Sequence, residues 1–274
     1  MSIEFTSLAL SEPIQRALRD KNYSTPSPIQ EQTIPLVLDK HDVMGCAQTG
    51  TGKTAAFALP ILEHLSQNQK RREPKSPRVL VIAPTRELAI QIHESFGAYG
   101  THLTHRSEVI FGGVGQNPQV RAIQRGPEVL VATPGRLLDL IGQGHLSLKR
   151  LEVFVIDEAD RMLDMGFIHD VRKIIGHLPK QRQSLFFSAT MPDSIIELAG
   201  TILRNPRHVE VTPPATTVEK IDQRLYHVAA SDKRDLLTDC LRDREEGLAL
   251  VFTGMKHVAN RIAEHLTKNG MPAA

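Results

Sequence analysis

Cysteine is scarce in this sequence: it occurs only at Cys46 and Cys240, far apart and without Cys-x-x-Cys spacing. That excludes a disulfide framework and a zinc site built on paired thiolates, and it suits a reducing cytoplasm. Long apolar runs are missing too; none approaches the roughly 18–20 residues that span a bilayer. The opening Met1-Ser2-Ile3-Glu4 lacks the basic-then-apolar pattern of a secretion signal. Nor is there an excess of one charge, because Lys and Arg number 33 against 31 Asp and Glu, a net charge of +2. A surface that coated nucleic acid throughout would be more basic, so any such contact must be confined to a local groove. These absences lead us to expect a soluble, cytoplasmic monomer with no membrane partner.

What is present suffices for one sizeable core and part of another, since 41% of the 274 residues are hydrophobic. Candidate strands are Val43–Cys46, Val79–Ala83, Glu108–Phe111, Val129–Ala132, Val153–Asp157 and Ser184–Ser188. They are rich in Val, Ile, Leu and Phe with little alternation, as in a parallel sheet covered on both faces. Amphipathic stretches such as Thr54–Ser66, Arg86–Tyr99 and Asp193–Leu203 lie between them. Strand–helix repetition of this kind predicts an α/β fold with an open parallel sheet flanked by helices. Such sheets bind ligands at the carboxyl ends of their strands.

The two prolines of Thr212-Pro213-Pro214-Ala215-Thr216-Thr217 interrupt this pattern and predict a linker over 212–219 after a first domain of residues 1–211. A second series follows, with strands at Gln223–Val228 and Leu248–Phe252 and helices at Asp232–Arg242 and His257–Lys268. Two strands cannot cover their own faces, so 220–274 reads as the unfinished start of a second domain. The charged run Lys70-Arg71-Arg72-Glu73-Pro74-Lys75 reads as a solvated loop.

Two segments carry chemistry. Ala47-Gln48-Thr49-Gly50-Thr51-Gly52-Lys53-Thr54 follows a predicted strand and opens a helix. In that setting successive backbone N–H groups form a cradle for a polyphosphate, and glycine permits the close approach. Lys53 would reach the β and γ phosphates, and the Thr54 hydroxyl would bind Mg²⁺. Without a ligand, the same residues read as a Gly-rich turn ahead of a helix with an exposed lysine. The second segment is Val153-Phe154-Val155-Ile156-Asp157-Glu158-Ala159-Asp160. Asp157 is placed to hold Mg²⁺, and Glu158 to orient and deprotonate an attacking water. The alternative is an acidic cap on the next helix.

These residues resemble the DEAD-box RNA helicases. Asp157-Glu158-Ala159-Asp160 matches the signature of that family, whose nucleotide loop also begins with alanine where the general phosphate-loop pattern has glycine. Tyr23-Ser24-Thr25-Pro26-Ser27-Pro28-Ile29-Gln30 is similar to the family's adenine segment, with Tyr23 against the base, Gln30 on its polar edge and Phe5 the upstream aromatic. Asn22 stands where relatives have glycine, and asparagine also tolerates a left-handed backbone. Thr85 and Arg86, Gly112 and Gly113, and Thr133 and Arg136 resemble the segments that hold the RNA backbone, although each also fits a plain helix cap or turn. Ser188-Ala189-Thr190 resembles the element that couples nucleotide state to RNA through Asp160. Leu250-Val251-Phe252-Thr253 resembles the opening strand of a second RecA-like domain, with Gly254 where relatives often carry a polar residue.

The resemblance implies a RecA-like domain that binds ATP and Mg²⁺, with Gln48, Thr49, Gly50, Thr51 and Gly52 around the phosphates. It implies an ATP-dependent RNA helicase that contacts RNA through its backbone without reading base sequence. The family's later motifs, including the arginines that complete the ATP site, have no counterpart in these 274 residues. Two other readings therefore stand beside it: a catalytically incomplete ATP- and RNA-binding module, and a phosphate-loop ATPase acting on DNA.

Overall fold

The structure is a computed structural model that describes residues 3–211, 224–242 and 247–273. The chain divides into two compact units, Met1–Pro214 and Ala215–Ala274. In the first, a 3-10 turn at Phe5–Ser7 leads to helices α1 (Glu12–Asp20) and α2 (Pro28–Leu38). Strands and helices then alternate: β1 (Val43–Cys46), α3 (Lys53–Gln67), β2 (Val79–Ile82), α4 (Arg86–Tyr99), β3 (Ser107–Ile110), α5 (Gln116–Gln124), β4 (Val129–Ala132), α6 (Pro134–Gly142) and β5 (Val153–Ile156). The series continues with α7 (Ala159–Asp164), α8 (Ile168–Gly176), β6 (Gln183–Ser188), α9 (Asp193–Ile202) and β7 (Arg207–Glu210).

The seven strands form one sheet in the order β3-β4-β2-β5-β6-β1-β7, and every neighbouring pair is parallel. Alternate residues of each strand enter opposite cores. Val79, Val81, Val153, Val155, Leu185 and Phe187 join the layer under α3 and α4, with Phe57 and Phe96. Leu80, Ile82, Phe154, Ile156 and Phe186 face the other layer, with Leu137, Met162 and Ile174. Burial on both faces is why the strands read as continuous apolar runs. The six strands predicted in the first domain are confirmed to within a residue at each end. One strand had no such signal: β7, Arg207-His208-Val209-Glu210, is an edge strand in which only Val209 is buried.

The run at 70–75 is less free than a solvated loop. Lys70 bonds Glu152 at 3.0 Å and Arg72 approaches Glu128 at 3.8 Å. Buried Arg78 holds Glu152 through both Nε, at 2.7 Å, and Nη2, at 3.0 Å. Although burial pushes the Glu152 carboxyl up, the bonds from His64, Arg78 and Lys70 prevail and hold it well below the usual carboxylate range.

In the second unit the described residues form helices α10 (Lys233–Arg242) and α11 (Lys256–Lys268), joined by a 3.2 Å contact between His265 and Thr238. The strands expected at 223–228 and 248–252 are corrected. Gln223 lies outside the described residues, and 224–228 and 248–252 pair in no ladder. Leu248 is wholly exposed and Phe252 largely so, since an apolar segment without neighbouring strands has no sheet to join. The expected linker, 212–219, lies outside the described residues. No described helix is long and apolar enough to cross a membrane.

Gly45 sits where β1 meets β6. A Cβ there would lie 2.6 Å from Cδ1 of Phe187, whose ring packs 5.5 Å from that of Phe57. Gly45→Ala should cost about 1–3 kcal/mol by overpacking. Chemical denaturation of Gly45→Ala, Phe187→Leu and the double variant checks this, and the combined loss should fall short of the sum.

Candidate active site

The carboxyl ends of β1, β5 and β6 carry the first cluster. After Cys46 the chain leaves β1, and the Ala47 N–H donates to the Ser188 carbonyl of β6 at 3.1 Å. Gly50 and Gly52 take φ values of 84° and 94°, in the region where glycine carries no side-chain penalty. Gly52 is further fixed by contact, because a Cβ there would fall 2.2 Å from Nε2 of Gln30. Helix α3 then begins at Lys53, its first N–H groups directed at the loop. Lys53 is buried, and its Nζ donates to the Ala47 carbonyl at 2.6 Å, folded across the loop it terminates.

Helix α2 clamps that loop from the side. Ser27 Oγ donates to the Thr51 carbonyl at 2.7 Å, and Gln30 Nε2 donates to the Gly52 carbonyl at 3.1 Å. Gln30 Oε1 accepts the Ser27 N–H at 2.9 Å, the reciprocal half of a capping box. Ser27 was not anticipated as a loop contact, although the Ser27-x-x-Gln30 spacing is a capping signature legible in the sequence. The Gln30 amide keeps one N–H and one acceptor site for a further partner. Tyr23 is placed elsewhere on this face: its ring is half exposed and lies 6.5 Å from that of Tyr99. Asn22 has φ 58°, the left-handed backbone expected where relatives carry glycine. Phe5 is buried, and its N–H donates to the Ser24 carbonyl at 2.9 Å, tying the N-terminal turn to this segment.

The acidic strand end sits at the carboxyl end of β5. Asp157 is only 2% exposed, and its Oδ1 accepts the Glu158 N–H at 3.0 Å. Burial pushes the Asp157 carboxyl up to about 6; Lys53 counteracts this and Glu158 adds to it. Glu158 is held at φ 54°, a left-handed position unusual for a side chain of this length, and Arg161 Nη1 donates to its Oε2 at 3.3 Å. Asp160 reaches across to β6. Its Oδ2 accepts the N–H groups of Ala189 (3.2 Å) and Thr190 (2.9 Å) and the Thr190 hydroxyl (3.0 Å), while the Asp160 N–H donates to Ser188 Oγ at 3.2 Å. Burial alone would raise this carboxyl, but the bonds from Thr190, from the Arg161 N–H at 3.0 Å and from Ser188 bring it below its ordinary value. Cys46 lies beside the cluster, and burial together with Glu210 raises its thiol, so thiolate chemistry is disfavoured there.

A second cluster occupies the carboxyl ends of β2, β3 and β4. Thr85 is the N-cap of α4, its Oγ1 accepting the Leu88 N–H at 3.2 Å, and Thr133 holds the same position before α6. Arg86 lies over the Phe111 ring at 5.0 Å, and a Cβ on Gly113 would come within 3.2 Å of its Nη1. Gly113 has φ 78°. Arg136 Nη2 donates to the Val114 carbonyl at 3.0 Å, while its buried Nη1 has no protein partner. The loop after β3 thus stands between Arg86 and Arg136.

A carboxyl raised by burial destabilises the fold wherever it must ionise. Between the unfolded value near 4 and the folded value of about 6 the native state binds more protons, so stability falls as pH rises through that window. Asp157→Asn should therefore stabilise the ligand-free chain at pH 7 by up to about 3 kcal/mol, with no gain below pH 4. Denaturation of both proteins across pH 4–7 measures it.

Comparison with known proteins accords with this geometry. The profile of the DEAD/DEAH box helicase family matches residues 27–198, from Ser27 at the loop clamp into α9. The chain is 41% identical over 271 residues to the ATP-dependent RNA helicase DeaD of Escherichia coli (strain K12), covering 98% of this chain and 42% of that protein. It is 42% identical over 269 residues to the DEAD-box ATP-dependent RNA helicase CshA of Geobacillus kaustophilus (strain HTA426), covering 98% and 56% respectively. It therefore spans about half the length of the curated relatives it matches. Matched over more than half its length by the family profile, and carrying the family's acidic strand end and phosphate loop at the same edge of one sheet, on strands separated only by β6, the chain belongs to the DEAD/DEAH box helicase family.

Proposed function

We propose that this chain is the nucleotide-binding part of a cytoplasmic, monomeric ATP-dependent RNA helicase. In this reading residues 1–211 form the ATP-binding RecA-like domain, 212–219 a linker and 220–274 the start of a second RecA-like domain. The observation that carries it is Asp157 itself, a carboxylate buried at a strand end within the electrostatic influence of Lys53, where burial raises it to about 6. An arrangement that costs the empty protein stability is explained if a cation and a polyphosphate fill it.

The donor set fits Mg²⁺, which prefers hard oxygen ligands and takes one or two carboxylates together with substrate phosphates. Asp157 and the Thr54 hydroxyl would hold it, and when bound it neutralises charge on the phosphate oxygens. Lys53 leaves the Ala47 carbonyl and binds the β and γ phosphates, whose remaining oxygens meet the backbone N–H groups of 48–54. Gln30 holds the loop through Gly52 and offers its remaining polar sites to the adenine edge, with Tyr23 against the base. Glu158 orients the attacking water and accepts its proton, which requires release from Arg161. Asp160, through Ser188 and Thr190, carries the change at β5 into β6. RNA phosphates lie along Thr85, Arg86, Gly112, Gly113, Thr133 and Arg136.

The test compares single-stranded RNA and DNA of one sequence, labelled with fluorescein, by anisotropy with Mg-ATP present. RNA should bind more tightly, and about five phosphate contacts imply a log–log salt slope near −3.5. Equal affinity for DNA would favour an ATPase acting on DNA. The arginines that complete the site in the family have no counterpart here, and an arginine finger is worth roughly 10³–10⁵ in rate. ATP turnover by this chain should accordingly be slow and rise less than tenfold with RNA. A larger, Glu158-dependent rise would contradict that assignment.

A further inference from the structure

The loop between β3 and α5 is held by one side chain that lies outside every motif described above. Gln119, in α5, is buried, and its amide closes a two-point clasp on the main chain of Phe111. Its Oε1 accepts the Phe111 N–H at 3.2 Å, and its Nε2 donates to the Phe111 carbonyl at 3.1 Å.

Sheet geometry explains why a clasp is needed here. Among the described residues β3 is the outermost strand and pairs only with β4. The Ile110 carbonyl accepts the Thr133 N–H at 3.1 Å, so it faces β4. Main-chain polar groups of successive strand residues point to opposite sides, which turns those of Phe111 to the open edge. Gln119 takes the place of the missing strand. Only a carboxamide supplies one donor and one acceptor at this spacing; an ionised Glu could not donate, and Asn is a methylene too short.

Phe111 is also the residue on which the second cluster depends. Its ring lies under Arg86, and three residues on the Val114 carbonyl accepts from Arg136. The turn between them passes through Gly113 at φ 78°, within reach of the Arg86 guanidinium. Fixing Phe111 therefore fixes the spacing of both arginines. Helix α5 is tied down independently, because Gln116 exchanges hydrogen bonds of 2.9 and 3.1 Å with Gln143 just beyond α6. Both anchors of the loop thus rest on packed helices.

We infer that Gln119 is a positioning residue for RNA binding, which presets the Phe111–Val114 loop and with it Arg86 and Arg136 without touching RNA itself. The inference rests on the RNA reading proposed above. A residue that presets contacts differs measurably from one that makes them. Its loss lowers affinity at every salt concentration and leaves the salt slope intact, whereas loss of a phosphate contact also flattens the slope by about 0.7.

The experiment uses the whole chain with Gln119→Ala, Gln119→Asn and Arg86→Ala variants, a fluorescein-labelled single-stranded oligouridine and a fluorescent ATP analogue. Two lost main-chain hydrogen bonds predict about tenfold weaker RNA binding for both Gln119 variants. Their salt slope and ATP affinity should match the parent chain, while Arg86→Ala should flatten the slope. Hydrogen exchange gives a readout that needs no RNA: the Phe111 amide should be protected in the parent chain and exchange at least tenfold faster in Gln119→Ala. Parent-like RNA affinity, or an unchanged Phe111 exchange rate, in the Gln119 variants overturns the inference. So does a joint loss of ATP and RNA binding, which would mark a general packing role, or a slope flattened like that of Arg86→Ala. If the parent chain itself fails to bind the oligouridine, the RNA reading falls first and the inference falls with it.

Discussion

A carboxylate at the end of a fully buried strand is the constraint around which this domain is arranged. Asp157 follows four residues of β5 that are buried on both faces, and it is only 2% exposed itself. Ionising it there is costly, and the surrounding groups answer that cost in different ways. Lys53 favours the charged form, the Glu158 N–H bonds it, and the Glu158 carboxylate works against it. The result is a group raised to about 6, poised between states near neutrality. If the site holds a cation as proposed, it trades stability of the empty protein for affinity toward that ligand.

The remaining elements follow from placing that strand end beside a phosphate loop. β6 separates β5 from β1 in the sheet, and Ser188, at its end, touches both neighbours: its carbonyl receives the Ala47 N–H and its hydroxyl the Asp160 N–H. The loop and the acidic residues are thus linked by hydrogen bonds through the end of β6. The opposite half of the same edge, at β2, β3 and β4, carries two arginines around one glycine-containing loop. In the function proposed above, one row of strand ends would serve two ligand classes, and their shared sheet would be the architectural basis for coupling them.

Much of this was legible in the sequence, for identifiable reasons. Burial on both faces made β1, β2, β4, β5 and β6 readable as apolar runs, and because the phosphate loop and the acidic residues each follow such a run, the rule that parallel sheets bind ligands at their carboxyl ends placed them at one edge. Asn22 was readable because few residues accept its left-handed backbone. β7 was not, since an edge strand with one buried residue carries no apolar run. The strands expected in the second unit had the right composition but, among the described residues, no partners to pair with, and composition does not supply partners. Gln30 was read for a ligand, whereas its bonds to Ser27 and Gly52 show it first as a structural clamp. Gln119 was invisible, because a side chain clasping a main chain eight residues away leaves no periodic signal.

The central claim is that Lys53 and the buried acidic strand end form a Mg-ATP site. Calorimetric titration of ATP into the chain, with and without Mg²⁺, and into Lys53→Ala tests it most directly. The account predicts saturable binding that requires Mg²⁺ and disappears in Lys53→Ala. Equal binding by the variant, or binding indifferent to Mg²⁺, would contradict it.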